Sequence, residues 1–122
     1  MESNIDIFGK IDSNYFIITS LLLNDYRLSA QAKILYITLI SLQHKGEHIT
    51  QESLTRVMLD KRGEPSSEKT INRLINELKK TGWLTVTTQK VFDREQGKLQ
   101  TTAMYIVHVV NTTAPTMQRR FE

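Results

Sequence analysis

The sequence has no cysteine, only two prolines and one tryptophan. The absence of cysteine excludes disulfides, thiol catalysis and cysteine-ligated zinc. No apolar run reaches the roughly 18 residues of a membrane-spanning helix. The N-terminal stretch carries Glu2, Asp6 and Asp12 instead of the basic and then apolar pattern of a signal peptide. We therefore expect a cytoplasmic protein with no membrane partner.

Motifs of catalysis are also missing. The sequence contains no P-loop, no paired-glycine dinucleotide fingerprint and no nucleophile motif. Its three imidazoles are His44, His48 and His108. His44 and His48 share one polar turn, where Glu47 alone does not complete a metal-ligand set. Solvated loop histidines are the simpler interpretation, so we expect no enzyme activity, no cofactor and no bound metal.

The composition is that of one globular domain. Of the 122 residues, 39% are hydrophobic and 24% are charged, which is too apolar for a disordered chain. Sixteen Lys and Arg residues against thirteen Asp and Glu residues give a formal charge of +3, and the pI is near 9.3. This excess favours a polyanionic partner only where the cations share one surface.

Residues 66–82 show the clearest amphipathic pattern in the chain. Apolar residues recur at helical steps of three and four along one face: Ile71, Leu74, Ile75 and Leu78. The opposite face combines cations and amides with no acid among them: Lys69, Asn72, Arg73, Asn76 and Lys80. Ser66 or Ser67 is the predicted N-cap, and Gly82 is the predicted stop. The outer face suits phosphates and base edges; the alternative is a basic helix that is merely solvated.

Two further helices precede this one. The first runs from a Ser29 N-cap to about Gln43, with one apolar stripe at Ala32, Leu35, Leu39 and Leu42. Other apolar residues extend that surface around most of the helix: Tyr36, Ile37 and Ile40. Such a helix is either central in the core or faces a second subunit of a homodimer. The second helix runs from a Thr50 N-cap to about Leu59, with Leu54, Val57 and Met58 as core contacts.

The segments around the helices are predicted to be extended or irregular. Residues 1–14, with Ile5, Ile7, Phe8 and Ile11, form an arm that packs on the body or on a second subunit, or frays. Residues 15–23 are almost continuously apolar and predict a buried extended segment. Residues 60–65 form a loop because Gly63 and Pro65 oppose a helix.

After Gly82 the hydrophobic period changes to that of strands. Residues 83–92 and 99–110 are predicted strands joined by a turn at residues 93–98. In the second strand one face carries Met104, Ile106 and Val110, and the other carries Tyr105, Val107 and Val109. Because both faces are apolar near its end, we expect that part of the strand to be central in the sheet. Residues 111–122 are a polar tail that we expect to be disordered, or a linker if the chain is an excised N-terminal domain.

This order predicts an α+β fold of the winged helix-turn-helix type. It would have a three-helix core with a C-terminal β-hairpin wing and a short N-terminal extended segment. The domain boundaries are then an arm at 1–14, the winged-helix domain at 15–110 and the tail at 111–122.

Three motifs support a family resemblance. They read Leu28-Ser29-x-x-Ala32-Lys33-x-Leu35-Tyr36-x-x-Leu39, Lys69-Thr70-Ile71-x-x-Leu74-x-x-Leu78-x-x-x-Gly82-Trp83-Leu84, and Met104-Tyr105-x-Val107. Together they resemble the winged-helix domains of plasmid and phage replication initiators and of DnaD-type primosome proteins. The resemblance implies binding of duplex DNA.

The candidate DNA contacts differ in their chemistry. Asn72 and Asn76 suit adenine edges, and Arg73 suits guanine or a phosphate. The other candidates are suited to phosphates or add hydroxyl contacts: Lys61, Arg62, Ser67, Lys69, Thr70, Lys80, Lys90, Arg94 and Lys98. The alternative for Thr70 is support of the helix start. The alternative for Arg94 and Lys98 is ion pairing with Asp93 and Glu95 in the hairpin.

Together these patterns predict sequence-specific binding of double-stranded DNA by a homodimer. The protein would act as a transcriptional regulator or as the DNA-recognition component of plasmid or phage replication, partition or transfer. The alternative is a protein–protein interaction module within a larger assembly.

Overall fold

A computed structural model describes residues 3–8, 20–109 and 111–115. The elements in chain order are strand β1 (Ile5–Phe8), helix α1 with described residues 20–23, helices α2 (Ala30–His44), α3 (Gln51–Val57) and α4 (Glu68–Lys80), and strands β2 (Leu84–Asp93) and β3 (Lys98–His108). The strands form one mixed sheet in the order β1-β3-β2. Strand β3 is central, parallel to β1 and antiparallel to β2.

Helix α4 begins and ends where its sequence predicts. The Ser67 hydroxyl accepts a hydrogen bond from the backbone N–H of Thr70 at the N-terminus. After the C-cap Thr81, Gly82 adopts a φ of +87°, which is a left-handed conformation that favours glycine. A Cβ atom at Gly82 would lie 2.9 Å from the Thr113 hydroxyl. Glycine is therefore required here both by the backbone and by the close approach of residues 111–115.

Trp83, directly after α4, joins several elements in the core. Its side chain is fully buried, and its ring meets that of Tyr36 edge-on, with a centroid distance of 5.5 Å. The Tyr36 hydroxyl donates to the carbonyl of His108 at 2.9 Å. The backbone N–H of Trp83 donates to the carbonyl of Leu78. Helix α2, the end of α4 and strand β3 are thus fixed around one indole ring.

A buried carboxylate binds the same tryptophan from the α1–α2 turn. Asp25 has no exposed side-chain surface, and it accepts from the Trp83 indole N–H at 2.8 Å. Its two oxygens also accept from the Arg27 guanidinium at 2.8 and 2.7 Å. Burial raises the pKa of the Asp25 carboxyl, but hydrogen bonds from Arg27 and Trp83 outweigh it, so the pKa lies below its usual value.

A second buried polar residue joins β1 to the α2–α3 loop. Asn4 is fully buried. Its side-chain amide donates to the Ile49 carbonyl at 2.6 Å and accepts from the Ile49 N–H at 2.7 Å. The same amide nitrogen donates to the carbonyl of Ala103 at 3.0 Å. Asn4 therefore replaces the missing strand partner of Ile49 and satisfies three backbone groups.

The prediction of a winged helix-turn-helix fold is wrong, although the fold is α+β. The described residues contain four helices and a three-stranded mixed sheet, not a three-helix core with a C-terminal wing hairpin. The strands β2 and β3 do form a hairpin, but β1 pairs in parallel with residues 105–108 on its other side. The hairpin is therefore part of the central sheet.

Other local differences have physical causes. The predicted extended segment is wrong for residues 20–23, which are helical, because an apolar run does not by itself distinguish a strand from a helix. Val57, a predicted core contact, is 47% exposed because α3 ends there. Residues 111–115, assigned to the polar tail, pack on the end of α4, where Asn111 and Thr113 both donate to the Thr81 carbonyl.

Some sequence predictions lie outside the described residues. They concern Ile11 in the arm, residues 15–19 of the extended segment, Val110 and residues 116–122 of the tail. Within the described ranges, none of the helices has the length and apolar character needed to cross a membrane.

Replacing Asn4 with Ala should lower the free energy of unfolding by about 2–3 kcal/mol, because the N–H and C=O of Ile49 lose their buried partner. Urea unfolding followed by circular dichroism measures this loss. The matched control is Asn76→Ala, which removes an exposed amide and should change stability by less than about 0.5 kcal/mol. Equal effects of the two substitutions would contradict the role of Asn4.

Asp25→Asn should lower the free energy of unfolding by about 2–3 kcal/mol near neutral pH. The amide has one acceptor oxygen where the carboxylate had two, so a bond from Arg27 or Trp83 is lost. A folded pKa below the unfolded value gives stability that is complete above about pH 4 and is lost as pH falls through the folded pKa. The stability difference between the wild type and Asp25→Asn should therefore shrink on acidification. Urea titrations at several pH values test this; a difference that does not change with pH would refute it.

Candidate nucleic-acid interface

Helix α4 separates its apolar and basic faces sharply. Ile71, Leu74, Ile75 and Leu78 are buried. The outer side chains are all exposed, and we call them the α4 basic face: Lys69, Asn72, Arg73, Asn76 and Lys80. They line a shallow open groove together with Thr70 and Glu77. The predicted burial of one face and exposure of the other are confirmed.

Four members of the α4 basic face make no hydrogen bond or ion pair with the described part of the chain: Lys69, Asn72, Asn76 and Lys80. Lys69 and Lys80 lie near opposite ends of α4, with the two amides between them. Because Asn72 and Asn76 are four residues apart, their side chains project from adjacent turns on the same side. The face thus presents two amides flanked by two uncompensated cations.

Arg73 differs from the other members because it has partners. Its guanidinium donates to the Glu77 carboxylate and to the Gln31 amide oxygen, each at 3.2 Å. The Arg73 side chain remains 55% exposed, against 22% for Glu77. An acid therefore borders the basic face, although the sequence pattern suggested none. Glu77 and Gln31 therefore belong to this site, although the sequence analysis did not include them. The four-residue spacing between Arg73 and Glu77 on one helix could have indicated their ion pair.

Glu77 also holds the start of α2. Its carboxylate accepts from the Ser29 backbone N–H at 2.9 Å and from the Ser29 hydroxyl at 3.1 Å. The Ser29 hydroxyl in turn accepts from the Ala32 N–H as the N-cap of α2. One carboxylate thus connects Arg73 on the basic face to the N-terminus of α2.

The hydroxyls at the start of α4 contact each other. Ser67 donates to the Thr70 hydroxyl at 3.0 Å and accepts from the Thr70 backbone N–H. Thr70 is half-buried. This geometry matches the alternative in which Thr70 supports the helix start.

Lys61 and Arg62 lie on an ordered turn directly before α4. The Asp60 carboxylate accepts from the backbone N–H groups of Arg62 and Glu64. The Ser66 N–H donates to the carbonyls of Thr55 and Met58, which ties the end of the loop to α3. Both cations are exposed and are held beyond the N-terminal end of α4.

The hairpin cations are exposed as well, but the turn places Arg94 at another groove. Lys90, Arg94 and Lys98 are all exposed. Asp93 accepts from the backbone N–H groups of Glu95 and Gln96, and neither Arg94 nor Lys98 pairs with an acid in the described residues. Arg94 lines an open groove of about 1230 Å³ with His48 and Thr50, separate from the groove along α4.

The histidines do not assemble a metal site in the described part of the chain, where no cluster of three or more potential ligands occurs. His44 is exposed and His48 is half-buried. The His108 ring lies 2.6 Å from the Thr85 hydroxyl, in hydrogen-bonding contact across the hairpin.

Glu77→Ala should lower the free energy of unfolding by about 1–2 kcal/mol, because the start of α2 loses the acceptor of the Ser29 N–H. Chemical unfolding measures the change. Glu68→Ala is the control, since this exposed acid makes no hydrogen bond or ion pair within the described residues and its effect on the N-terminal dipole of α4 should be less than about 0.5 kcal/mol. Equal costs for the two acids would rule out a capping role for Glu77.

Comparison with known proteins gives no match to a protein-family model, to a curated protein or to a solved structure. The resemblance to replication-initiator and primosome domains therefore rests on the motifs in the sequence and stays a prediction. The observed fold also differs from the architecture that this resemblance implies.

Proposed function

We propose that this protein binds double-stranded DNA through the α4 basic face. The observation that carries the proposal is the arrangement on α4, where exposed cations and amides without partners in the described chain oppose a fully buried apolar face. Exposed cations release counterions when they meet phosphates, which favours binding to any duplex. Exposed amides add the ability to distinguish base edges.

The dimensions of α4 fit the major groove. Its thirteen residues span roughly 20 Å at 1.5 Å per residue, and the groove is about 12 Å wide and admits an α-helix. Lys69 and Lys80 are separated by roughly 16 Å along the axis, so they reach phosphates on opposite sides of the groove. Asn72 and Asn76 then lie between them, where they can pair with adenine N6 and N7.

Arg73 has a more restricted role in this proposal. Its bonds to Glu77 and Gln31 must be exchanged before it can contact guanine in a bidentate way. Contact with a phosphate at the edge of the groove needs less rearrangement, because the guanidinium remains half-exposed. We therefore assign Arg73 to phosphate contact, and base selection to Asn72 and Asn76.

The additional cations extend the same proposal. Lys61 and Arg62, before the N-terminus of α4, would contact the backbone beside the groove. Lys90, Arg94 and Lys98 on the hairpin would contact DNA outside the site occupied by α4. The biological role that we propose is transcriptional regulation, or DNA recognition in plasmid or phage replication, partition or transfer, by a homodimer.

The division between phosphate and base contacts gives distinct outcomes. Lys80→Ala should weaken binding to all duplexes alike and lower the slope of log affinity against log salt by about one. Asn76→Ala should weaken the free energy of binding by about 1–3 kcal/mol at the preferred site and change binding to random duplex little, so that selectivity falls. Site selection from random duplexes followed by fluorescence anisotropy at several salt concentrations measures both effects.

Lys45→Ala is the matched control, because it removes an exposed cation at the C-terminus of α2, away from the α4 basic face. This variant should leave the salt slope unchanged. If Lys80→Ala and Asn76→Ala changed specific and random binding equally, the assigned roles would be wrong. If the wild type bound no duplex at low salt, the proposal of DNA binding would be wrong, and the alternative function as a protein–protein interaction module would take its place.

A further inference from the structure

An uncharged stripe on α2 is exposed, although its large members are apolar. Ile34 and Ile37 are 55% and 43% exposed, on the side of α2 opposite its buried residues. With Ala30 and Ser41, which are also exposed, they follow steps of four, three and four along the helix. We call these four residues the α2 stripe. This spacing is that of the contact seam between two packed helices.

Further exposed apolar residues lie at the end of α3, which contacts α2. The Thr38 hydroxyl lies 3.7 Å from the Met58 sulfur, so the end of α3 borders the stripe. Val57 and Leu59, on either side of Met58, are 47% and 56% exposed. At ~100 Å² for each half-exposed side chain, Ile34, Ile37, Val57 and Leu59 together expose roughly 400 Å² of apolar surface on α2 and at the end of α3.

We propose that the α2 stripe is the interface between two copies of this chain, packed antiparallel about a two-fold axis. The spacing of the stripe is self-complementary in that orientation. When Ile34 of one copy opposes Ile37 of the other, symmetry brings the reverse pair together as well. Ala30 then opposes Ser41 at both ends, and these small side chains allow the helices to approach closely.

Charge also favours a second copy as the occupant. None of the stripe residues is charged, so the antiparallel pair buries no unpaired ion. The nearby Lys33 ammonium donates to the Leu23 carbonyl at 2.6 Å, which directs it away from the seam. The roughly 400 Å² of apolar surface on α2 and the end of α3 is about half of the roughly 800 Å² that each partner buries in a standard interface, and a polar rim would supply the rest.

The α2 stripe and the α4 basic face share no residue, and Gln31 beside Ala30 is the point where they come closest, through its bond to Arg73. A two-fold dimer presents two α4 helices, and its DNA sites would then be palindromic, with half-sites related by the same symmetry. This inference rests on the homodimer of the proposed function, but it is tested without DNA, so a monomeric protein would refute the interface and leave DNA binding by α4 untouched.

Light scattering after size exclusion tests the assembly directly. At about 100 µM chain the wild type should have twice the 14.1 kDa mass of one chain. Ile34→Glu and Ile37→Glu should each halve that mass while circular dichroism stays unchanged, since both side chains are exposed. Leu99→Glu is the matched control at another exposed apolar residue, on the hairpin, and should remain dimeric. A monomeric wild type, or dimers that survive both glutamates, would overturn the proposal.

The absence of cysteine allows a second test of the register. Ala30→Cys combined with Ser41→Cys should give a covalent dimer under mild oxidation, because the two positions oppose each other between copies. Within one chain they lie eleven residues apart, roughly 16 Å along the helix, which is too far for a disulfide. Ala30→Cys alone should not cross-link, and equal cross-linking of the single and double variants would contradict the antiparallel register.

Discussion

The hydrogen bond between the buried Asp25 carboxylate and the Trp83 indole determines how α4 is held. Trp83 follows α4 directly, is fully buried and packs edge-on against Tyr36 of α2. A buried carboxylate is stable only with enough donors, and Arg27 and Trp83 supply them. The Arg27 guanidinium also donates to the Thr81 carbonyl at the end of α4. The C-terminal end of the helix is therefore fixed, and its basic face is presented on a rigid support.

A second set of hydrogen bonds joins α4 to the start of α2, through Glu77. Glu77 caps α2 through Ser29 and pairs with Arg73 on the exposed side. A ligand that draws Arg73 away from Glu77 would strengthen the negative charge available to the α2 N-terminus. The α4 basic face and the N-terminus of α2 are therefore joined through one carboxylate.

Local signals in the sequence were sufficient for several elements. The caps Ser29 and Thr50 and the left-handed Gly82 act within a few residues of the chain and occur as predicted, and Ser67 is the one of the two candidate caps of α4 that the structure selects. The central position of β3 also followed from apolar residues on both of its faces. Amphipathic periodicity identified which side of α4 is buried, because burial depends on the helical repeat alone.

The remaining features depend on contacts between distant parts of the chain. The pairing of β1 with β3 joins residues about a hundred positions apart, and nothing in the short apolar segment 5–8 specifies that partner. No periodic pattern in the sequence predicts the hydrogen bonds between Asn4 and Ile49 or between Glu77 and Ser29. The apolar residues of α2 did indicate a helix with too much apolar surface, but only the structure separates the core members from Ile34 and Ile37.

The central claim, that the exposed face of α4 lies in a DNA groove, is tested most directly by nuclear magnetic resonance. A duplex oligonucleotide is titrated into isotope-labelled protein at low salt, and the amide shifts of the backbone and of the Asn side chains are followed. We predict that the largest changes occur at the side-chain amides of Asn72 and Asn76 and along the backbone from Lys69 to Lys80. Shifts confined to other surfaces, or no shifts at all, would contradict this account.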